Sequence, residues 1–197
     1  MDEILSGVRH WTAIHPNHGM EVGCHWVPAA AAVIDPLVPA EGLEAFRGDP
    51  PKVVLLSNRH HLRDGPRFKE EFGATIRCSE LGLHEFGADV EVEGFAFGEE
   101  VAPGIEALEV GAICPDETAL LIAQARALLV ADGLMHYGGE LRFVSDRLLG
   151  DDHEAVKRGL REAYSRLLDR DFDNLLFAHG DPLLGGANQA LRAFCDA

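Results

Sequence analysis

The stretch VVLLSNRHHLRDG, residues 53–65, predicts a strand followed by a polar turn that leads into a helix. Its four leading apolar residues predict a strand that is buried on both faces. Just beyond it, Phe68 and Phe72 lie four residues apart among charged residues, which predicts an amphipathic helix. In open α/β sheets, ligands bind at the carboxyl ends of strands. We therefore expect the polar turn at residues 57–63 to lie at a functional site.

Composition limits the kinds of partner this chain can have. Its 197 residues are enough for a full core, and we expect one domain over residues 1–197. The formal net charge of −16 argues against nucleic acid and anionic membranes, because both repel an acidic surface. No long apolar run or signal-peptide pattern is present, so we expect a cytoplasmic protein. The four scattered cysteines contain no Cys-x-x-Cys pair and are expected to be buried free thiols.

Sequence patterns predict further strands and helices along the chain. Strands are expected at residues 8–15, 22–27, 29–38, 75–78, 118–123, 127–131, 141–144 and 174–178, with two more between 90 and 110. Helices are expected at 42–46, 64–72, 152–170 and 187–194. This order predicts two mixed sheets packed on each other, with helices outside.

Four stretches in this order are similar to landmarks of the metallo-β-lactamase superfamily. They are AAVIDPL with Asp35, LLSNRHHLRD, LLVADGLM with Asp132, and LLFAHGDP with His179. The resemblance covers nearly the whole chain. It implies an α/β (α+β) fold built as a four-layer αββα sandwich, with metals at the sheet edges. It also implies that Asp132 is the metal-bridging aspartate.

The metal-binding turn departs from the family motif His-x-His-x-Asp-His. Aligned on the end of the strand, only His60 falls on a ligand position. The other three positions of the motif carry Asn58, Leu62 and Arg63. In the later stretch GAICPDET, Ile113 takes the position of a further histidine. The resemblance therefore leaves His60, Asp132 and His179 as metal ligands, too few to hold two ions.

Two functions of different classes follow from this reduced ligand set. In the first, His60, Asp132 and His179 hold one divalent ion (zinc, manganese or iron) that activates water. The reaction is then hydrolysis of a small substrate, with Asp132 and His60 as catalytic residues. In the second, the domain is metal-free and inactive, and it binds a small anionic ligand or a protein partner. A non-hydrolytic enzyme on the same scaffold stays open, because fold does not fix function.

The arginines beside the histidine pair suggest an anion pocket. Arg59 and Arg63, together with His61, are predicted to bind a substrate carboxylate or phosphate. The alternative is that these arginines neutralise a buried acid in place of the metal, at Asp132, Asp64 or Glu117. The expected partner is a small-molecule substrate or ligand, with a homodimer as an open alternative.

Other candidates carry weaker patterns. A non-standard metal ligand could come from His61, Asp64, His84 or Glu117, and Cys114 could pair with a histidine as a nucleophile. No Gly-x-Ser-x-Gly nucleophile elbow is present. The spacing of the N-terminal histidines fits no compact metal motif, and we expect ordinary roles for His10, His15, His18 and His25.

Overall fold

The computed structural model describes the whole chain, residues 1–197. The strands are β1 (Asp2–Leu5), β2 (Val8–Ile14), β3 (Glu21–Val27), β4 (Ala32–Ile34), β5 (Val53–Leu55), β6 (Thr75–Ser79), β7 (Glu93–Phe95), β8 (Glu100–Ala102), β9 (Ile105–Glu109), β10 (Thr118–Ile122), β11 (Ala127–Val130), β12 (Leu134–Tyr137), β13 (Glu140–Phe143), β14 (Asn174–Phe177) and β15 (Leu183–Leu184). The α-helices are α1 (Gly65–Phe72), α2 (His153–Leu167) and α3 (Ala187–Asp196). Short 3₁₀ helices lie at Pro28–Ala30, Leu43–Phe46, Arg59–His61, Glu80–Glu85, Ala123–Ala125 and Asp146–Leu148.

The strands form two large mixed sheets and one small hairpin. The first sheet has the order β1-β2-β3-β4-β5-β6-β7, antiparallel up to β4 and parallel from β4 to β7. The second sheet has the order β15-β14-β11-β10-β9-β8, in which only β11 and β14 are parallel. Strands β12 and β13 form the separate hairpin.

Alternation along the central strands builds three apolar layers. In and after β5, Leu55 faces the second sheet, whereas Val54 and Leu56 face the layer that contains Phe68 of α1. In β14, Leu176 faces the first sheet, whereas its neighbours pack in the layer formed with α2 and α3. Strands buried on both faces separate these layers, as their apolar runs predicted. The structure thereby confirms the four-layer αββα sandwich.

Some predicted element boundaries were wrong. Only Ala32–Ile34 of the predicted strand 29–38 is extended in the sheet. Asp35 ends the strand with a positive φ of 48°, and Pro36 then has no N–H for a ladder hydrogen bond. Residues 90–110 contain three short strands rather than two, and the edge strands β1 and β15 and strand β12 were not predicted. Short strands with few buried residues carry little alternation to detect.

The functional turns gather at one edge because strand directions agree there. Strands β4 and β5 are parallel neighbours in the first sheet, and β11 and β14 are parallel neighbours in the second. Backbone hydrogen bonds join the two sheets at this edge, from Thr118 N to Ser57 O and from Gly23 N to Ala178 O, both 2.8 Å. Backbone contacts therefore help to hold the two sheets together at this edge.

The close approach at Gly23 leaves no room for a side chain. A Cβ on this residue would lie 2.3 Å from the carbonyl oxygen of Phe177 in the opposite sheet. We expect Gly23→Ala to lower the free energy of unfolding by about 2–3 kcal/mol, because backbone must move to relieve the overlap. Urea denaturation measures this. Gly48→Ala, where nothing lies within 4 Å, is the matched control. Equal losses in the two variants would contradict the expectation.

The contact between the buried His25 and the half-buried His10 is expected to make stability depend on pH. Nε2 of the fully buried His25 lies 3.2 Å from Nδ1 of His10, and Nδ1 of His25 has no partner. Burial, and secondarily the charge of His10, holds the pKa of His25 well below 6.5. Below pH 6.5 the unfolded chain binds a proton here that the folded chain does not. This contribution to stability is therefore full above pH 6.5 and is lost as pH falls.

The expected slope is about 1.4 kcal/mol of unfolding free energy per pH unit below about pH 6 from this one group. Urea denaturation of wild type and His25→Gln at several pH values between 7 and 5 measures it. The variant should show the shallower dependence, whereas the exposed-site control His84→Gln should follow wild type. Parallel curves for all three proteins would rule out His25 as the source.

None of the helices has the length and apolar character that crossing a bilayer requires. The cysteines are unbridged, as expected, with Cys24, Cys78 and Cys114 buried and Cys195 partly buried.

Candidate functional site

Three side chains that could hold a metal ion converge at the edge where the strands end. They are His61, Asp132 and His179, and one ligand atom from each lies within 4.8 Å of the others. The Nε2 atoms of His61 and His179 lie 3.1 Å and 3.0 Å from Oδ1 of Asp132. These residues follow β5, β11 and β14, so both sheets contribute to the cluster.

His61 is oriented by groups behind it. Its Nδ1 lies 3.0 Å from Oδ2 of the buried Asp35 and 2.8 Å from Oγ of Ser57. Asp35 also accepts hydrogen bonds from the backbone N–H of Ser57, at 2.8 Å, and from its hydroxyl. The carboxylate of Asp35 therefore fixes the imidazole so that Nε2 is the nitrogen presented to Asp132.

Asn58 restrains the other side of the cluster. Its Nδ2 donates to Oδ2 of Asp132 at 2.9 Å, and its Oδ1 accepts from the backbone N–H of His60 at 2.9 Å. One oxygen of Asp132 is therefore occupied by an amide, and the two histidines share the other. Asn58 stands where the family motif has its first histidine.

The opposite charges of His61 and Asp132 stabilise each other and shift the pKa values of both groups. Burial lowers the pKa of His61, but the attraction of Asp132 and Asp35 exceeds this effect and raises the pKa to about 9. Burial acts to raise the pKa of Asp132, but the neighbouring His61 and His179 hold it well below its usual value. Without a metal, a protonated His61 thus links two carboxylates.

The cluster fits one metal ion and does not fit two. Ligand atoms around tetrahedral zinc lie about 3.3 Å apart, given metal–ligand distances of about 2.0–2.2 Å. The two histidine–aspartate separations, 3.1 and 3.0 Å, are close to this value, and all three ligand atoms lie within 4.8 Å of one another. The contact between Asp35 and Nδ1 of His61 is also the arrangement typical of metal-binding histidines. A second ion would need the Asp132 oxygen that Asn58 occupies, and Arg63 and Ile113 offer it no ligand atom.

The histidine in the cluster is His61, which the sequence had offered only as a non-standard ligand, and not the adjacent His60. His60, predicted as a metal ligand, is exposed and lies beside the cluster rather than in it. The 3₁₀ turn at Arg59–His61 causes this difference, because a helical turn brings His61 under Ser57, four residues earlier. Asn58 caps that turn, and because asparagine favours helix N-termini it was the sequence feature that could have indicated the turn.

Both predicted substrate-binding arginines have internal partners. Arg59 forms ion pairs with Asp116 and Glu85, and it does not line the cleft above the cluster. Arg63 lines that cleft, but its Nη1 donates to the backbone oxygens of Gly23 and Asp35, at 2.9 and 2.6 Å. Neither arginine forms an ion pair with Asp132, Asp64 or Glu117, the acids expected for neutralisation.

The remaining candidates lie outside the cluster. Glu117 is fully buried and accepts the backbone N–H of Gly133 at 2.7 Å, and its burial raises its pKa to about 7. Burial also raises the pKa of the Cys114 thiol, which argues against a thiolate nucleophile there. His84 pairs only with the exposed Glu85.

A cleft of about 460 Å³ opens above the cluster. Its basic and imidazole side chains are His15, His18, His60, His61, His179, Arg63 and Arg147. Its apolar side chains are Met20, Ile113, Met135, Val144 and Leu148, and its single carboxylate is Asp132. In a chain with net charge −16, this wall is depleted of acids. The cleft has room for a small molecule and presents donors rather than carboxylates to it.

No protein-family model matches the sequence, and no curated protein sequence matches it either. Solved structures do match, over nearly the whole chain. A metallo-β-lactamase from Pontibacter korlensis is similar with a TM-score of 0.71 and 18% identity, covering 99% of this chain and 96% of that one. A metallo-β-lactamase family protein from Thermus thermophilus is similar with a TM-score of 0.67 and 15% identity, covering 98% and 80%.

A third match, TTHA1623, was solved in a di-iron-bound form and has a TM-score of 0.63 and 19% identity, covering 95% of this chain and 94% of that one. At such identities the agreement establishes the fold. The chain has the metallo-β-lactamase fold, as the sequence resemblance implied. A fold does not fix function, so the chemistry of this chain depends on its own residues.

Proposed function

We propose that this chain is a metal-dependent hydrolase with a mononuclear centre on His61, Asp132 and His179. One observation carries the proposal: the three donor atoms lie within 4.8 Å of one another at the base of a cleft of about 460 Å³. Three protein ligands with an open position are what a catalytic zinc site needs. Zinc, manganese and iron are the candidate ions, and the substrate is a small molecule.

A divalent ion held by these residues would supply a Lewis acid that makes a water molecule at the cleft floor more acidic. The chain's own groups have separate tasks. Asp35 keeps the Nδ1–H of His61 engaged, so that Nε2 is the free ligand atom. Asn58 leaves Asp132 only Oδ1 to offer. This arrangement orients the ligands before any substrate enters.

His60 keeps a catalytic role in this proposal, although not as a ligand. The imidazole of His60 lines the cleft and makes no hydrogen bond within the protein. Only the backbone N–H of His60 is hydrogen-bonded, to Oδ1 of Asn58. An imidazole in that place can accept a proton from water or donate one to a leaving group. The apolar wall formed by Ile113, Met135 and Val144 limits access of bulk water.

The test is hydrolysis by protein loaded with zinc, manganese or iron, against an aryl ester, a lactone, a thioester and a phosphodiester. At least one class should be cleaved. His179→Gln should lower kcat/KM by about a hundredfold or more, because it removes a ligand atom, whereas His84→Gln should leave it unchanged. Metal-loaded protein that cleaves none of the four classes would contradict the proposal.

A second candidate is the metal-free binding domain, and the charge of His61 favours it. A protonated imidazole between Asp35 and Asp132 satisfies both carboxylates without an ion, and the pKa of about 9 keeps that proton bound at neutral pH. Metal must displace this proton to bind. Protein that takes up no ion at pH 8, with zinc in excess, would favour this candidate over the hydrolase.

A further inference from the structure

The hairpin turn between β2 and β3 carries two histidines that the proposed chemistry does not use. The rings of His15 and His18 are stacked, with centroids 3.9 Å apart and planes within 2° of parallel. Both rings line the cleft above the cluster of His61, Asp132 and His179. The sequence offered no role for them, because their spacing fits no compact metal motif.

The backbone of the turn fixes which ring nitrogen of each histidine carries the proton. Nδ1 of His15 accepts the N–H of Asn17, and Nδ1 of His18 accepts the N–H of Met20, both at 3.3 Å. A nitrogen that accepts a hydrogen bond cannot also carry a proton. Each neutral ring must therefore bear its hydrogen on Nε2. Hydrogen bonds to the two rings are formed at Nδ1 only, so both Nε2 atoms are without a protein partner.

This tautomer decides what the pair can bind. An Nε2 that carries a hydrogen is a donor, so the pair is not suited to coordinate a metal ion. Two neighbouring donors suit an acceptor with two oxygens. Arg147, which also lines the cleft and forms no ion pair, adds a positive charge. Asp132 is the one carboxylate in the wall, and it is already engaged by His61 and His179.

We propose that His15 and His18 are substrate-positioning residues that bind a carboxylate group of the substrate through their two Nε2–H donors. The exposed side chains of Met20 and Leu148, which also line the cleft, would cover an apolar portion of the same molecule. The substrate class is therefore a small monocarboxylate with an apolar chain. A carboxylate suits the pair, because its two oxygens match the two neighbouring N–H donors. This inference rests on the proposed function, because it names the substrate class of the same cleft.

The experiment measures binding of hexanoate to metal-free protein by calorimetry, so that its outcome does not depend on a metal or on hydrolysis. Hexanoate should bind more tightly than acetate, than inorganic phosphate and than the neutral hexanamide. The double variant His15→Phe/His18→Phe keeps two stackable rings but removes both donors. It should weaken hexanoate binding at least tenfold.

Two further variants separate positioning from structure. His15→Gln/His18→Gln restores side-chain N–H donors and should recover part of the affinity, whereas the control His153→Gln should bind as wild type. NMR of histidine-labelled protein should show hexanoate shifting the Nε2 signals of His15 and His18. The proposal is overturned by unchanged binding in the phenylalanine variant, by hexanamide or phosphate binding as tightly as hexanoate, or by no hexanoate binding. Failure of hydrolysis with intact hexanoate binding would count against the proposed reaction alone.

Discussion

Asp132→Ala is expected to lower zinc affinity by about a thousandfold, near 4 kcal/mol of binding free energy. Structural zinc sites in proteins bind with about 10–16 kcal/mol, so losing one ligand of three removes a large share of that energy. Asp132 is also the residue that both histidines face, at 3.1 and 3.0 Å. Competition with a chromophoric chelator at pH 8 measures the affinity.

The matched control is Asp181→Asn, which removes a negative charge two residues from His179 without touching the cluster. It should change zinc affinity by less than about threefold, because exposed charges are screened by solvent. If Asp132→Ala and Asp181→Asn weaken zinc equally, Asp132 acts only through the overall charge. In that case it is not a ligand.

Asp35→Ala is expected to lower the free energy of unfolding of metal-free protein at pH 7 by about 3–5 kcal/mol, the usual cost of breaking a buried ion pair. Asp35 is 1% exposed and accepts from His61 Nδ1 and from the backbone and hydroxyl of Ser57. Its removal leaves the buried imidazolium of His61 with one fewer counter-charge and the backbone N–H of Ser57 without its acceptor. Its φ of 48° also suits alanine less well than aspartate.

Two controls separate charge from shape at this position. Asp35→Asn keeps an oxygen for the N–H of Ser57 but loses the charge, and it should give an intermediate loss in urea denaturation. Asp49→Ala, at an exposed site, should stay within about 0.5 kcal/mol of wild type. A loss below about 1 kcal/mol for Asp35→Ala would show that the buried pair contributes little to folding.

Much of the fold could be predicted because its central strands are buried on both faces. Such strands appear as continuous apolar runs that end abruptly in polar residues, as β5 does at Ser57 and β11 at Asp132. The resemblance to the metallo-β-lactamase superfamily grouped Asp132 with His179, and the parallel pairing of β11 and β14 explains why their ends lie at one edge. The short edge strands β1 and β15 could not be predicted, since they bury few side chains.

The choice between His60 and His61 depended on local backbone geometry. In an extended turn, alternate side chains share a face, and His60 would join Asn58. The 3₁₀ turn instead places His61 beneath Ser57 and leaves His60 exposed. Moving the start of the turn by one residue is enough to exchange the positions of His60 and His61.

The roles of the arginines were also beyond the sequence. Whether a guanidinium faces a cleft or an internal acid depends on residues distant along the chain. The guanidinium of Arg59 pairs with Asp116, which lies 57 residues later in the chain. Arg63 is held by backbone oxygens of Gly23 and Asp35, which no side-chain pattern indicates.

Counting bound metal in a matched pair of variants shows whether His61, Asp132 and His179 hold one ion. Wild type and His60→Gln, loaded with zinc at pH 8 and passed over a desalting column, should each retain about one ion per chain by elemental analysis. His61→Gln should retain almost none. Retention by His61→Gln together with loss by His60→Gln would place the ligand at the other histidine. No bound zinc in wild type would contradict the metal centre itself.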